Sequence, residues 1–169
     1  KVNRNLLQQV NETSSNQFPF AAILSCIDSR TSAELIFDQG LGDIFSIRIA
    51  GNILNNDILG SMEFACKKVG SKLIVVLGHT NCGAIIGACD DVKLGHLTSL
   101  IDKIKPAIES ETETKSERNG KNRNFTENVT INNVRLTVEG IRKRSGILSE
   151  LEKENKIKIV GGIYDVETG

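Results

Sequence analysis

Short apolar runs alternate along the chain with stretches whose apolar residues recur at helical spacing, and the alternation predicts an α/β fold. Phe18 to Cys26, Ile44 to Ala50, Lys72 to Gly78 and Ile157 to Tyr164 have strand length. The unbroken apolar stretches Phe20 to Leu24 and Leu73 to Leu77 suit strands buried on both faces. Thr31 to Phe37 places Ala33, Leu35 and Ile36 on one helical face, with Thr31 or Ser32 to cap it and Glu34 in the first turn. Ile53 to Val69 carries Ile58, Leu59, Met62, Phe64, Ala65 and Val69 and stops at Gly70, and another helix begins at Ala84. Val129 to Arg144 (Val134, Leu136, Val138, Ile141) and Ile147 to Lys153 add two more. Alternating strands and helices predict a mainly parallel sheet of about four strands flanked by helices, with one further edge strand allowed. Lys1 to Gln17 is polar apart from Leu6, Leu7 and Val10, the patch of a short helix or docked arm that reads as the end of something longer. Glu109 to Asn124 is almost wholly polar and reads as a mobile loop with solvated charges. No repeat or linker divides the chain, so residues 1–169 read as one domain.

Composition narrows the function classes. Lysine and arginine total 21 and so do aspartate and glutamate, giving zero formal charge. With no basic block this argues against nucleic acid as partner and favours a neutral or small substrate. No apolar run approaches the ~20 residues of a membrane span, and Lys1 to Val10 has no signal-peptide core. The first residue is not methionine, which leaves a removed targeting segment, and so an organelle, open. Of the four cysteines, Cys66 and Cys89 fall in helical surroundings and read as free thiols, which points to a reducing compartment, the cytoplasm.

The candidate chemistry lies where two of the apolar runs end. Cys26 follows Phe20 to Leu24, and His79 and Cys82 follow Leu73 to Leu77. In an open parallel sheet the carboxyl ends of neighbouring strands form the ligand crevice, so these three residues read as one metal site. Two thiolates and an imidazole suit zinc, and three protein ligands leave its fourth position to water. Zinc would lower the pKa of that water to near 7 and make hydroxide, the nucleophile, at neutral pH. Asp28 and Arg30 lie two residues apart and share a side if the segment is extended, so they can pair. The carboxylate then either orients the water or, as a fourth ligand, closes the site, with Arg30 deciding between the two. Gly40, Gly42 and Gly51 read as turn punctuation, since no phosphate-binding fingerprint follows a strand. His96 reads as a surface or helix-capping histidine.

Three segments carry a family resemblance: Ser25-Cys26-Ile27-Asp28-Ser29-Arg30, Gly42-Asp43-Ile44-Phe45-Ser46-Ile47-Arg48-Ile49-Ala50-Gly51-Asn52 and Gly78-His79-Thr80-Asn81-Cys82-Gly83-Ala84. In this order and separation they resemble the β-class carbonic anhydrases, as does the end, Gly162 to Gly169. The resemblance implies reversible hydration of carbon dioxide to bicarbonate and a proton, and one zinc per chain on Cys26, His79 and Cys82. It also implies a catalytic Asp28/Arg30 dyad and an obligate homodimer, or a multiple of it, with active sites near the interface. Gln17, Phe45 and Gly83 match substrate-pocket positions of plant-like members. Ala50 and Phe64 occupy two more but depart from the valine and tyrosine found there, which implies a more open pocket without that hydroxyl. A non-catalytic bicarbonate site of some bacterial members needs a tryptophan where this chain has Ile23, and the chain has no tryptophan. The helices that usually wrap the partner subunit read as absent or cut short. Two rival readings are a carbonyl sulfide or carbon disulfide hydrolase on the same fold, and a non-catalytic zinc module closed by Asp28.

Overall fold

The structure, a computed structural model, describes residues 5–169. Four strands form one sheet: β1 (Ala21–Ser25), β2 (Ile44–Arg48), β3 (Leu73–His79) and β4 (Lys158–Tyr164). Their order is β2-β1-β3-β4 and every pairing is parallel. β1 is buried along its whole length and β3 nearly so, whereas the outer strands β2 and β4 are largely half-exposed or exposed. That contrast is why only the two inner strands have wholly apolar runs. From β1 the chain moves to β2 on one side and later to β3 on the other. A topological switch point therefore lies at the carboxyl ends of β1 and β3, where an α/β sheet opens a crevice.

Helices cover both faces: α1 (Leu6–Thr13), α2 (Ala33–Ile36), α3 (Asn56–Glu63), α4 (Gly83–Cys89), α5 (Gly95–Ile101), α6 (Lys105–Ser110), α7 (Arg123–Arg144) and α8 (Gly146–Lys153). α3 runs on into a π-helical turn, Phe64–Val69, that ends at left-handed Gly70. α7 starts earlier than its apolar periodicity suggests because Asn122 caps it, accepting from the Phe125 amide at 3.2 Å. It packs on β3 and β4 where they carry glycine: a Cβ on Gly161 would sit 2.5 Å from Val134 Cγ1, a contact that forces something to move. Leu24, Ile74, Val76, Val138, Ile141 and Leu148 form the main core beneath α7 and α8. Ala21, Ile23, Ala33, Val75 and Leu77 form a thinner layer on the opposite face. Leu35, Phe64 and Leu136, apolar positions of three expected helices, are exposed instead.

Two features depart from the sequence reading. α5 and α6, with a short 3-10 turn between them, place Ile101, Ile104 and Ala107 in a third cluster with Phe125 and Val129, around Cys26 and Cys82. The polar stretch after α6 is organised rather than wholly solvated. The buried Glu111 carboxylate accepts from the Thr114 amide and hydroxyl and from the Asn128 amide, and it pairs with Arg118. Arg118 also lies 4.6 Å from the Phe125 ring centroid and donates to the Ile108 carbonyl at 2.8 Å. Gly120 N donates to Asp90 Oδ1 at 2.7 Å, fastening the segment to the end of α4.

Candidate metal centre

At the switch point Cys26 follows β1, His79 ends β3, and Cys82 is the residue before α4. All three are buried, and the two sulfurs and a histidine ring nitrogen lie within 4.8 Å of one another. The sulfurs are 3.9 Å apart. His79 Nδ1 is 2.9 Å from the Thr80 carbonyl, and a carbonyl only accepts, so Nδ1 carries a proton and the lone pair of the neutral ring is on Nε2. That buried Nε2 has no hydrogen-bond partner. In the neutral ring that buried nitrogen and the two sulfurs make a donor set for a soft or borderline cation. The hydrogen bond from Cys82 outweighs burial and, with the Gly51 amide, holds the Cys26 thiol well below its ordinary value. The same bond and burial push Cys82 up, so the pair shares one proton. Cys66 and Cys89, each raised to about 11 chiefly by burial, are unreactive thiols elsewhere.

Asp28 stands beside this cluster and is held by a fork. Arg30 Nε donates to Oδ1 at 2.9 Å and its terminal nitrogen to Oδ2 at 2.7 Å, while the Arg30 amide donates to Oδ1 at 3.0 Å. This bidentate grip holds the carboxyl well below the usual carboxylate range. Oδ2 is 3.9 Å from His79 Nε2. Arg48, which sequence reasoning left without a role, donates to the carbonyls of Cys26 at 3.0 Å and Asp28 at 2.6 Å, fixing the backbone on both sides of Ile27.

The second half of the cluster is buttressed by the end of the chain. The Thr80 amide donates to the Tyr164 carbonyl at 3.0 Å, extending the β3–β4 ladder past His79. Its hydroxyl donates to Asp165 Oδ1 at 3.3 Å and accepts from the Val166 amide at 3.0 Å. Asn81 sits at a left-handed φ of 53°, which asparagine tolerates better than most residues. Its Nδ2 donates to Glu167 at 3.1 Å, Glu167 pairs with Arg123 at 3.1 Å, and its carbonyl accepts from Arg30 at 3.3 Å.

The expected pocket residues divide. Gly83 adjoins Cys82 and faces open space, since a Cβ there would meet nothing within 4 Å. Ala50 starts a short turn, Ala50–Asn52, whose Gly51 amide donates to Cys26 Sγ at 3.3 Å. Phe45 and Phe64 lie together, edge to face with centroids 6.2 Å apart, in a groove of about 580 Å3 beside β2 with Ser46, Ile47 and Gly60. Gln17 is exposed and lines another groove with Val10, Thr13 and Leu41. Neither groove contains Cys26, His79 or Cys82 in its walls. His96 is an exposed residue of α5.

A family model described as carbonic anhydrase matches residues 21–169. Carbonic anhydrase 2 of Mycobacterium tuberculosis is 36% identical over 160 residues, covering 92% of this chain and 74% of that protein. The β-carbonic anhydrase CafA of Aspergillus fumigatus superposes with a TM-score of 0.81 at 22% identity, over 96% of this chain and 78% of that one. One of two tetrameric β-carbonic anhydrases of Sordaria macrospora does so with 0.79 at 20% identity, over 95% and 86%.

Proposed function

The chain belongs to the β-class carbonic anhydrases, and from that premise we propose that it hydrates carbon dioxide reversibly at a zinc ion held by Cys26, His79 and Cys82. The observation that carries the reading is the buried cluster of two sulfurs and a partnerless imidazole nitrogen beside a carboxylate tied back by arginine. Three protein donors match the ligand count of a catalytic zinc site rather than a closed structural one. Bound there, zinc supplies a Lewis acid that brings a water's pKa to near 7.

The protein's own groups do the rest. Asp28 is ionised at any pH near neutrality and has both oxygens engaged by Arg30, so it acts as a fixed acceptor that orients the attacking water and stays out of the ligand set. This restraint favours the open, catalytic site over the closed module. Arg48 holds the Asp28 backbone so that the acceptor keeps its place relative to Cys26. Gly83, with open space before it, lets a small substrate approach Cys82 and His79, and Ala50 lines the neighbouring turn.

Phe45, Phe64 and Gln17 serve the pocket of a second copy. Phe64 is half-exposed in a groove beside the open edge of β2, and Leu6 and Leu7 of α1 are exposed, surfaces suited to a homodimer or a multiple of it. Stopped-flow measurement of carbon dioxide hydration against pH, on protein with measured zinc content, tests the proposal. Activity with about one zinc per chain is expected, and an inactive protein with full zinc would overturn it.

A further inference from the structure

We propose that Asn133 is a positioning residue of the metal centre, acting through the Gly51 backbone on the Cys26 sulfur. The inference rests on the reading of Cys26 as a zinc ligand and adds to it a residue from the middle of α7. Asn133 is 4% exposed, and its Nδ2 donates to the Gly51 carbonyl at 2.8 Å, across 82 residues of sequence. A buried amide is costly unless it is hydrogen-bonded, so the bond to Gly51 offsets the burial of Asn133. Asn133 lies on a buried face of α7 that also carries Thr126, Thr130 and Thr137, and its side-chain amide reaches from there to the turn beside the metal centre.

Gly51 makes that bond consequential. It has a left-handed φ of 64°, and a Cβ there would come within 2.9 Å of Ile104 Cδ1 and 3.3 Å of Ala84 Cβ. The turn is wedged between the start of α4 and the helical segment around Ile104, and Asn133 fixes its third side. With the carbonyl pinned, the Gly51 amide points at Cys26 Sγ at 3.3 Å. An N–H directed at a thiolate ligand draws off part of its charge and fixes the direction of its lone pairs. Outer partners of metal ligands commonly change affinity by about 10- to 100-fold when removed.

The test uses full-length protein loaded with cobalt(II), whose thiolate-to-metal charge-transfer bands report on the sulfurs, and zinc-loaded protein challenged with a chelator. Asn133→Leu keeps the volume and removes the donor. Asn133→Ser adds no bulk and falls short of the Gly51 carbonyl. In both, the charge-transfer bands should move to longer wavelength, and zinc should leave about tenfold faster or more. Thr137→Val, one turn further along the same buried face, controls for stability loss and should leave the bands where they are. Unmoved bands in either folded asparagine variant would overturn the proposal, as would an equal shift in Thr137→Val. A folded variant that no longer takes up cobalt supports it. Parent protein that binds cobalt without thiolate bands would refute the ligand assignment itself, an outcome readable apart from the others.

Discussion

The two halves of the centre are held in opposite ways. Cys26 is fixed chiefly from inside, by a Gly51 amide that a buried asparagine pins, while the exposed Arg48 holds two backbone carbonyls beside it. The His79 to Cys82 loop is fixed from outside, by a terminal turn whose charged members are solvated: Arg123 and Glu167 side chains are 53% and 50% exposed. Buried hydrogen bonds in a low dielectric are strong and unscreened, whereas exposed ion pairs contribute about 0–1 kcal/mol and weaken with salt. One half is thus a rigid reference and the other an adjustable partner. Asp28 and Arg30 bridge them, since Arg30 reaches across to the Asn81 carbonyl.

The bluntest way to break the contrast is to remove ligands from each half. Cys26→Ala, His79→Ala and Cys82→Ala should each lose zinc and hydration activity, by more than the ~100-fold expected of any outer partner. Metal analysis after dialysis checks this, and Cys66→Ser and Cys89→Ser should keep full zinc. If one half's ligands proved dispensable, the two halves would not form one centre.

Cutting the bridge should cost less and show a particular shape. Arg30→Ala leaves Asp28 Oδ2, already 3.9 Å from His79 Nε2, free to swing into the ligand cluster. Activity should fall by about 100-fold near neutral pH, recover partly in alkali where hydroxide outcompetes the carboxylate, and leave zinc near one per chain. A uniform loss at every pH would reduce Arg30 to a structural role.

Backbone substitutions then compare the halves directly. Gly51→Ala places a Cβ at positive φ against Ile104 and should destabilise the protein by about 1–3 kcal/mol in urea unfolding. Asn81→Gly, at a left-handed position glycine accepts freely, should stay within about 0.5 kcal/mol of the parent. Equal costs at the two positions would erase the distinction.

The same contrast explains what the sequence made legible. Cys26 and His79 stand out because they follow apolar runs, with Cys82 three residues after His79, and strand ends at a switch point are places chemistry gathers. Asp28 and Arg30 are legible because their pairing is local. Asn133 is not: in the pair Asn132-Asn133 nothing but the fold tells which residue faces inward, and its partner lies 82 residues away. Arg48 was hidden for a similar reason, as it acts on carbonyls that no pattern marks. α5 and α6 escaped notice because a 3-10 turn and Pro106 interrupt their apolar periodicity. Glu111 and Arg118 looked like loop charges because burial of an ion pair in irregular backbone leaves no period to detect.

The finest test concerns how weakly the outer half is held. Glu167→Gln keeps an acceptor for Asn81 Nδ2 but removes the charge facing Arg123. The parent carboxyl lies below its ordinary value, chiefly through Arg123 and then Asn81. A depressed carboxyl contributes fully above its unfolded pKa of ~4.3, and that contribution is lost only as pH falls through the lower folded value. Between pH 6 and 8 the support should therefore not vary with pH, and salt becomes the variable to change. In ~0.05 M salt the variant should release zinc to a chelator no more than about threefold faster than the parent, the scale of an exposed pair. At ~1 M salt, where the screening length is ~3 Å, parent and variant should converge. The Asn133 variants should keep their excess release rate at both salt concentrations, because the bond they lack is buried. A Glu167→Gln effect above tenfold that salt leaves intact would mean that the terminal turn grips the loop as firmly as the Gly51 turn grips Cys26, and the centre would have two rigid halves instead of one.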